Sequence, residues 1–125
     1  MVYYGVDYYP EHWPKERWAT DARLMQEANI NVIRVAEFAW SRLEPAEGTF
    51  DFAWLDEVIN LFADHGIQIV LGTPTAAPPA WLTYKHPDVL LVDAQGRRAV
   101  HGTRRHVCLN SPAFRDYTER IVTRM

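Results

Sequence analysis

Apolar positions along this chain fall into a repeating pattern, a short apolar run followed by a longer stretch with apolar residues three or four apart. Residues 2–6 are rich in β-branched and aromatic side chains and break at Asp7-Tyr8-Tyr9-Pro10, which predicts a short strand and a loop. A helix is then predicted from Pro14, a residue tolerated at a first helical position. Trp18, Ala22, Met25 and Ala28 recur at helical spacing up to the exit at Asn29-Ile30-Asn31. Residues 32–35 form a second predicted strand. Apart from Arg34 it is apolar throughout, as expected of a parallel strand buried on both faces. Residues 36–47 read as a long loop. A second helix is predicted to open at Asp51, whose side chain can cap it while Phe50 packs on Leu55 across the cap. Its stripe is Leu55, Val58, Ile59 and Phe62, and His65-Gly66 stops it before a third strand at 67–71 that breaks at Gly72. From 73 to 110 no regular pattern holds, and Pro74, Pro78, Pro79 and Pro87 interrupt any helix that starts. Ser111-Pro112 opens a third helix with Phe114, Tyr117 and Ile121 on its inner face.

Strand, helix, strand, helix, strand, helix is an α/β arrangement of three β/α units, compatible with a barrel or a doubly wound sheet. The turns decide between them. A nucleotide-binding sheet carries a glycine-rich turn after its first strand, and Asp7-Tyr8-Tyr9-Pro10 has no glycine. The expected fold class is therefore the first three β/α units of a (β/α)8 TIM barrel. Such a barrel needs roughly 250 residues, so it is incomplete within these 125, and the whole of 1–125 reads as one N-terminal piece of it.

Composition changes this picture little. A chain 48% apolar and 23% charged, with a net charge of −3, is an ordinary globular balance. The Arg97-Arg98 and Arg104-Arg105 doublets are too short to track a phosphate backbone, so no nucleic-acid partner is expected. No apolar run is long enough to span a membrane, and no leader pattern opens the chain, so a cytoplasmic location is the default expectation. The single cysteine, Cys108, cannot form an internal disulfide. Five tryptophans, six tyrosines and five phenylalanines matter more, because that much aromatic surface is either core or a platform for flat apolar faces such as those of sugar rings.

In a β/α barrel the chemistry sits where strands end, which selects the loops after Val6, Val35 and Leu71. They hold Asp7, Tyr8, Glu11, His12 and Trp13, then Glu37, Phe38, Trp40 and Arg42, then Trp81, His86, Arg104 and His106. Carboxylates and arginines interleaved with aromatics suit a polyhydroxylated ligand. Arg34 needs a carboxylate partner if its strand is buried. Glu37 is expected to cap a helix or pair with Arg42 or Arg34. Trp40 and Trp81 are either stacking walls or packing. Cys108 lies near His101 and His106, but that spacing matches no strong zinc signature, and a buried free thiol is the commoner fate.

The chain resembles the N-terminal part of the glycoside hydrolase family 42 β-galactosidases. The likeness runs through Tyr4-Gly5-Val6-Asp7-Tyr8-Tyr9-Pro10-Glu11-His12-Trp13, Arg34-Val35-Ala36-Glu37-Phe38-Ala39-Trp40-Ser41, Leu43-Glu44-Pro45, Gly48-Thr49-Phe50-Asp51-Phe52, Thr73-Pro74-Thr75-Ala76-Ala77-Pro78-Pro79-Ala80-Trp81-Leu82 and Arg104-Arg105-His106-Val107-Cys108. The resemblance implies a retaining hydrolase of terminal β-D-galactosyl residues, with no required cofactor and a β-galactoside as substrate. It implies that Arg104 contacts the sugar, with Arg105 as its competitor, and that Arg34 meets the nucleophile, a structural ion pair with a later strand being the alternative. In some members the cysteine matching Cys108 joins three later cysteines in a structural zinc site, and the full enzyme is a homotrimer. The acid follows an Asn on the fourth strand and the nucleophile lies near the seventh, so no catalytic residue is expected here, and no Asn-Glu pair occurs. A barrel glycosidase of family 35 or 5 type and a carbohydrate-binding module are the alternatives.

Overall fold

A computed structural model describes residues 2–104 and 106–125. They form two compact units, Met1–Ala36 with Phe52–Gly72, and Glu37–Asp51 with Thr73–Met125. In chain order the elements are β1 (Gly5–Asp7), α1 (Lys15–Glu27), β2 (Val32–Val35), α2 (Trp40–Leu43), α3 (Ala53–Asp64), β3 (Gln68–Leu71), α4 (Ala80–Lys85) and α5 (Pro112–Arg124).

The first unit is a parallel sheet in the order β1-β2-β3, with α1 and α3 packed together and α3 against β3. Register pairs Gly5 with Val32, Val6 with Ile33 and Asp7 with Arg34, and then Val32 with Gln68 through Val35 with Leu71. Because side chains alternate across a strand, Ile33 and Val35 fall on one face and Val32 and Arg34 on the other. The first face is core: Ile33, Val35, Val58 and Phe62 are fully buried. The second, with Gly5, Asp7, Val32, Arg34 and Val70, lines an open concavity of about 560 Å³. The sequence led to the expectation of a β2 buried on both faces. Its Arg34 is instead exposed, because only the alternate residues Ile33 and Val35 meet the core.

Helix α1 begins one residue after Pro14, which serves as its N-cap, and leaves through Asn29 in the left-handed conformation at φ 59°. Trp18, buried on its inner face, donates its indole N–H to the Pro10 carbonyl at 3.0 Å. The predicted cap at Asp51 does not form, since α3 starts at Ala53 with Phe52 at its N-cap and no side-chain cap bond. Its stripe is otherwise as the spacing predicts, with Leu55, Val58 and Phe62 buried and Trp54 beside them. At the end of β2, Ala36 is fully buried at φ 73°. A left-handed alanine costs on the order of 1–2 kcal/mol, and such residues gather at functional sites.

In the second unit the stretches read as loops contain helix. Residues 40–43 make α2, and residues 73–110 hold α4 and two 3-10 turns, Pro74–Ala76 and Pro87–Val89. The prolines begin these elements: Pro74 and Pro87 open the turns and Pro79 is the N-cap of α4. Proline lacks only a donor that a helix start leaves unused. Helix α5 matches its prediction. Ser111 caps it by accepting the Phe114 N–H at 3.3 Å, and Phe114 and Ile121 are buried.

Gly5 is fixed by space. A Cβ there would sit 2.1 Å from the Val32 carbonyl oxygen, a backbone atom that cannot move without breaking the β1–β2 ladder. Gly5→Ala is therefore expected to destabilise the protein by about 1–3 kcal/mol, read as a lowered denaturation midpoint. An unchanged midpoint would show that β1 is not held at this distance.

Two edges remain unpaired among the described residues, one along β1 and one along β3, beside the exposed Val6, Val70 and Leu71. Open edges template association. The isolated 125-residue chain is expected to self-associate in light scattering, and a monomer with a single cooperative melt would contradict this.

Candidate functional site

Arg34 and Asp7 meet at the C-terminal ends of adjacent parallel strands. Arg34 Nη2 donates to Asp7 Oδ2 at 3.1 Å, and both side chains are half exposed on the concave face. One partner of Arg34 is thus Asp7, on the preceding strand. The backbone next to it is pinned, since the Tyr8 N–H donates to the Arg34 carbonyl at 2.9 Å. Tyr8 is in turn buried with its ring 5.2 Å from that of Phe62, and its hydroxyl donates to Asp21 Oδ2 at 3.0 Å. Burial first, then the bond to Asp21 and its charge, pushes the Tyr8 phenol well above the ordinary tyrosine range, so it carries its proton throughout the neutral range. Arg17 completes the cluster by donating Nε to Asp21 Oδ1 at 3.1 Å.

The second unit carries Arg104, whose guanidinium lies over the Phe38 ring at 4.2 Å from its centroid. Arg104 is exposed and Phe38 half-buried, so the aromatic face orients a charge that remains accessible. Arg105 lies outside the described residues. Glu37 is half-buried just past β2.

Trp40 serves packing, while Trp81 is half-buried. Trp40 is fully buried, donates its indole N–H to Glu44 Oε2 at 3.0 Å and faces Phe114 at 6.3 Å. Trp81 donates to the Glu44 carbonyl at 2.9 Å and meets Tyr117 edge-on at 5.4 Å. The sequence motif around Glu44-Pro45 therefore marks a buried carboxylate. Glu44 is fully buried, and it also accepts the Gly48 N–H at 2.8 Å and a guanidinium N–H of Arg120.

Beside it Glu47 accepts Lys85 Nζ at 2.8 and 2.6 Å and the Tyr117 hydroxyl. The bond from Lys85, then that from Tyr117, holds the Glu47 carboxyl below its usual value, and the bond to Glu47 holds the Lys85 ammonium above its own. Sequence reasoning missed both clusters. Their members are scattered through the chain without a motif, apart from Glu44.

Cys108 is half-buried, and its amide donates to the Val89 carbonyl at 2.8 Å. Among the described residues no three His, Cys, Asp or Glu side chains converge, so those present do not form a zinc site by themselves. His101 and His106 lie edge to face at 5.6 Å, with the Thr83 hydroxyl 3.0 Å from His101 Nδ1. No helix among the described residues is long and apolar enough to cross a membrane.

Breaking the Glu44 cluster strands the part-buried Arg120 cation and two donors, the Trp40 indole and the Gly48 amide. Glu44→Ala is expected to cost about 2–4 kcal/mol of stability, below the full range for a buried pair because Arg120 is one-third exposed. A denaturant titration reads this, and a cost under 1 kcal/mol would remove the cluster's claim to hold the unit.

The Glu47 pair is expected to respond to pH with a definite sign. With the carboxylate lowered from 4.5, its stabilisation is present above that value and lost as pH falls through the lowered one. With the ammonium raised from 10.5, its stabilisation is present below that value and lost only at higher pH. Glu47→Gln should therefore lower the melting temperature evenly between about pH 5 and 10 and match the wild type at strongly acid pH. A deficit persisting in strong acid would point to packing as its cause.

Comparison with known proteins places these features in a family. Residues 7–125 match the family model described as beta-galactosidase, of glycoside hydrolase family 42. The chain is 55% identical over 119 residues to a β-galactosidase of Thermus thermophilus, which covers 95% of this chain and 18% of that protein. It therefore spans about a fifth of the length of the curated relatives it matches. Among solved structures it superposes on the β-galactosidase of the psychrophilic Marinomonas ef1 with a TM-score of 0.95 at 45% identity, covering 99% of this chain and 19% of that one. It also superposes on the polyextremophilic β-galactosidase of the Antarctic haloarchaeon Halorubrum lacusprofundi with a TM-score of 0.95 at 52% identity, covering 98% and 18%.

Proposed function

The chain belongs to the glycoside hydrolase family 42 β-galactosidases, and on that footing we propose that it supplies the opening β/α units and part of the sugar pocket of a retaining β-galactosidase. The observation that carries this reading is the match along nearly the whole chain to proteins named β-galactosidase, at identities above half. In the proposed reaction a carboxylic acid protonates the glycosidic oxygen while a carboxylate ~5 Å away attacks the anomeric carbon. The resulting galactosyl ester is then cleaved by water, which the first group deprotonates. Both carboxyl groups come from sequence outside these residues. Arg104 contributes a sugar contact and Arg34 orients the attacking carboxylate, each through the planar fork of its guanidinium. In an enzyme that recruits three further cysteines, Cys108 would complete a structural tetrathiolate zinc site with no part in the chemistry. A cytoplasmic, homotrimeric parent enzyme fits the same reading.

A chimera tests this. These residues replace the matching segment of the Thermus thermophilus relative, and hydrolysis of a chromogenic β-galactoside is followed. The chimera is expected to be active, to lose roughly 10²-fold in kcat/KM with Arg104→Ala, and the isolated chain to be inactive. Hydrolysis by the isolated chain that Arg104→Ala abolishes would overturn the reading, as would a chimera indifferent to Arg104→Ala.

A further inference from the structure

We propose that Asp7 is a positioning residue, which holds the Arg34 guanidinium in one orientation over the concave face so that it can orient the attacking carboxylate; this rests on the glycosidase reading above. Three features of the fold set the pair. Register makes Asp7 and Arg34 direct neighbours on the same face of the β1–β2 ladder, with Nη2 and Oδ2 3.1 Å apart. The Tyr8 N–H then ties the chain just after Asp7 to the carbonyl of Arg34 itself, and Tyr8 is anchored by Asp21 and Phe62. Finally, the parallel ladder fixes β1 against β2, and Gly5 lets the two backbones lie closer at Val32 than a side chain would permit.

Such rigidity is not needed for stability. Both side chains are about half exposed, and ion pairs of that kind contribute little. What the pair supplies is orientation, because an arginine on a four-bond stem otherwise samples many rotamers, and a carboxylate that engages one edge of the planar fork fixes its plane. The pair also cancels its own charge. The strand-end face lined by Gly5, Asp7, Val32, Arg34 and Val70 then offers guanidinium N–H groups of fixed direction.

A double-mutant cycle in the intact enzyme carrying this segment tests the inference, using Asp7→Asn, Arg34→Ala and the double variant. kcat/KM is measured on whichever member of a nitrophenyl glycoside panel the wild type cleaves fastest. Asp7→Asn is expected to lower kcat/KM by ~10–10²-fold at unchanged melting temperature, and to cost nothing further once Arg34 is alanine. Asp7→Glu, which keeps the charge, should recover part of the loss. Additive losses, wild-type activity in Asp7→Asn, or a loss that tracks the melting temperature would each overturn the proposal. A wild type that cleaves only other glycosides would sink the β-galactosidase reading and leave the cycle readable, whereas one that cleaves none of the panel overturns both.

Discussion

One buried carboxylate organises the whole second unit. Glu44 has no exposure to solvent, and its two oxygens accept from Trp40, Gly48 and Arg120, while its carbonyl accepts from Trp81. Those donors sit on α2, on the turn that follows it, on α5 and on α4. A single anion is therefore shared by four stretches of chain with little regular structure between them. Burying an ion is costly unless its oxygens find donors, and here both do. The arrangement explains how a segment interrupted by prolines holds a definite shape without a sheet at its centre.

The first unit solves a different problem by different means. Its order comes from a parallel ladder, whose register decides face by face what each residue sees. That is why Arg34, in a strand of valine and isoleucine, is neither buried nor strained: Ile33 and Val35 enter the core while Arg34 and Asp7 stand together on the concave face. Immediately beyond it, Ala36 holds a left-handed backbone while fully buried, a local cost that the surrounding packing sustains.

Much of this fold was legible in the sequence, and what was not has physical reasons. Helical spacing showed most of the buried stripes of α3 and α5 and the first half of that of α1, where Trp18 and Ala22 are buried but Met25 is half-buried and Ala28 exposed, because an amphipathic face repeats within a few residues and needs no knowledge of its partner. Prolines misled, since a residue that breaks a helix in its interior begins one at its end, and only the backbone around Pro74, Pro79 and Pro87 distinguishes the two. Partners far apart in the chain were invisible. Asp7 and Arg34 are separated by 27 positions, and Glu44 and Arg120 by 76, and no local pattern encodes such a pairing. For Trp40 and Trp81 the sequence left stacking wall and packing both open, and only the fold aims their indole N–H groups at Glu44.

The closeness of β1 to β2 at Gly5 reaches into the history open to this protein. Where a Cβ would collide with the Val32 carbonyl, no side chain can be added at position 5, so that part of the concave face stays bare backbone. Change on this face is then left to its other residues, Val32, Arg34 and Val70 among them, and to the loops that follow the strands. Relatives that diverge in substrate would be expected to keep this glycine while those loops change around it.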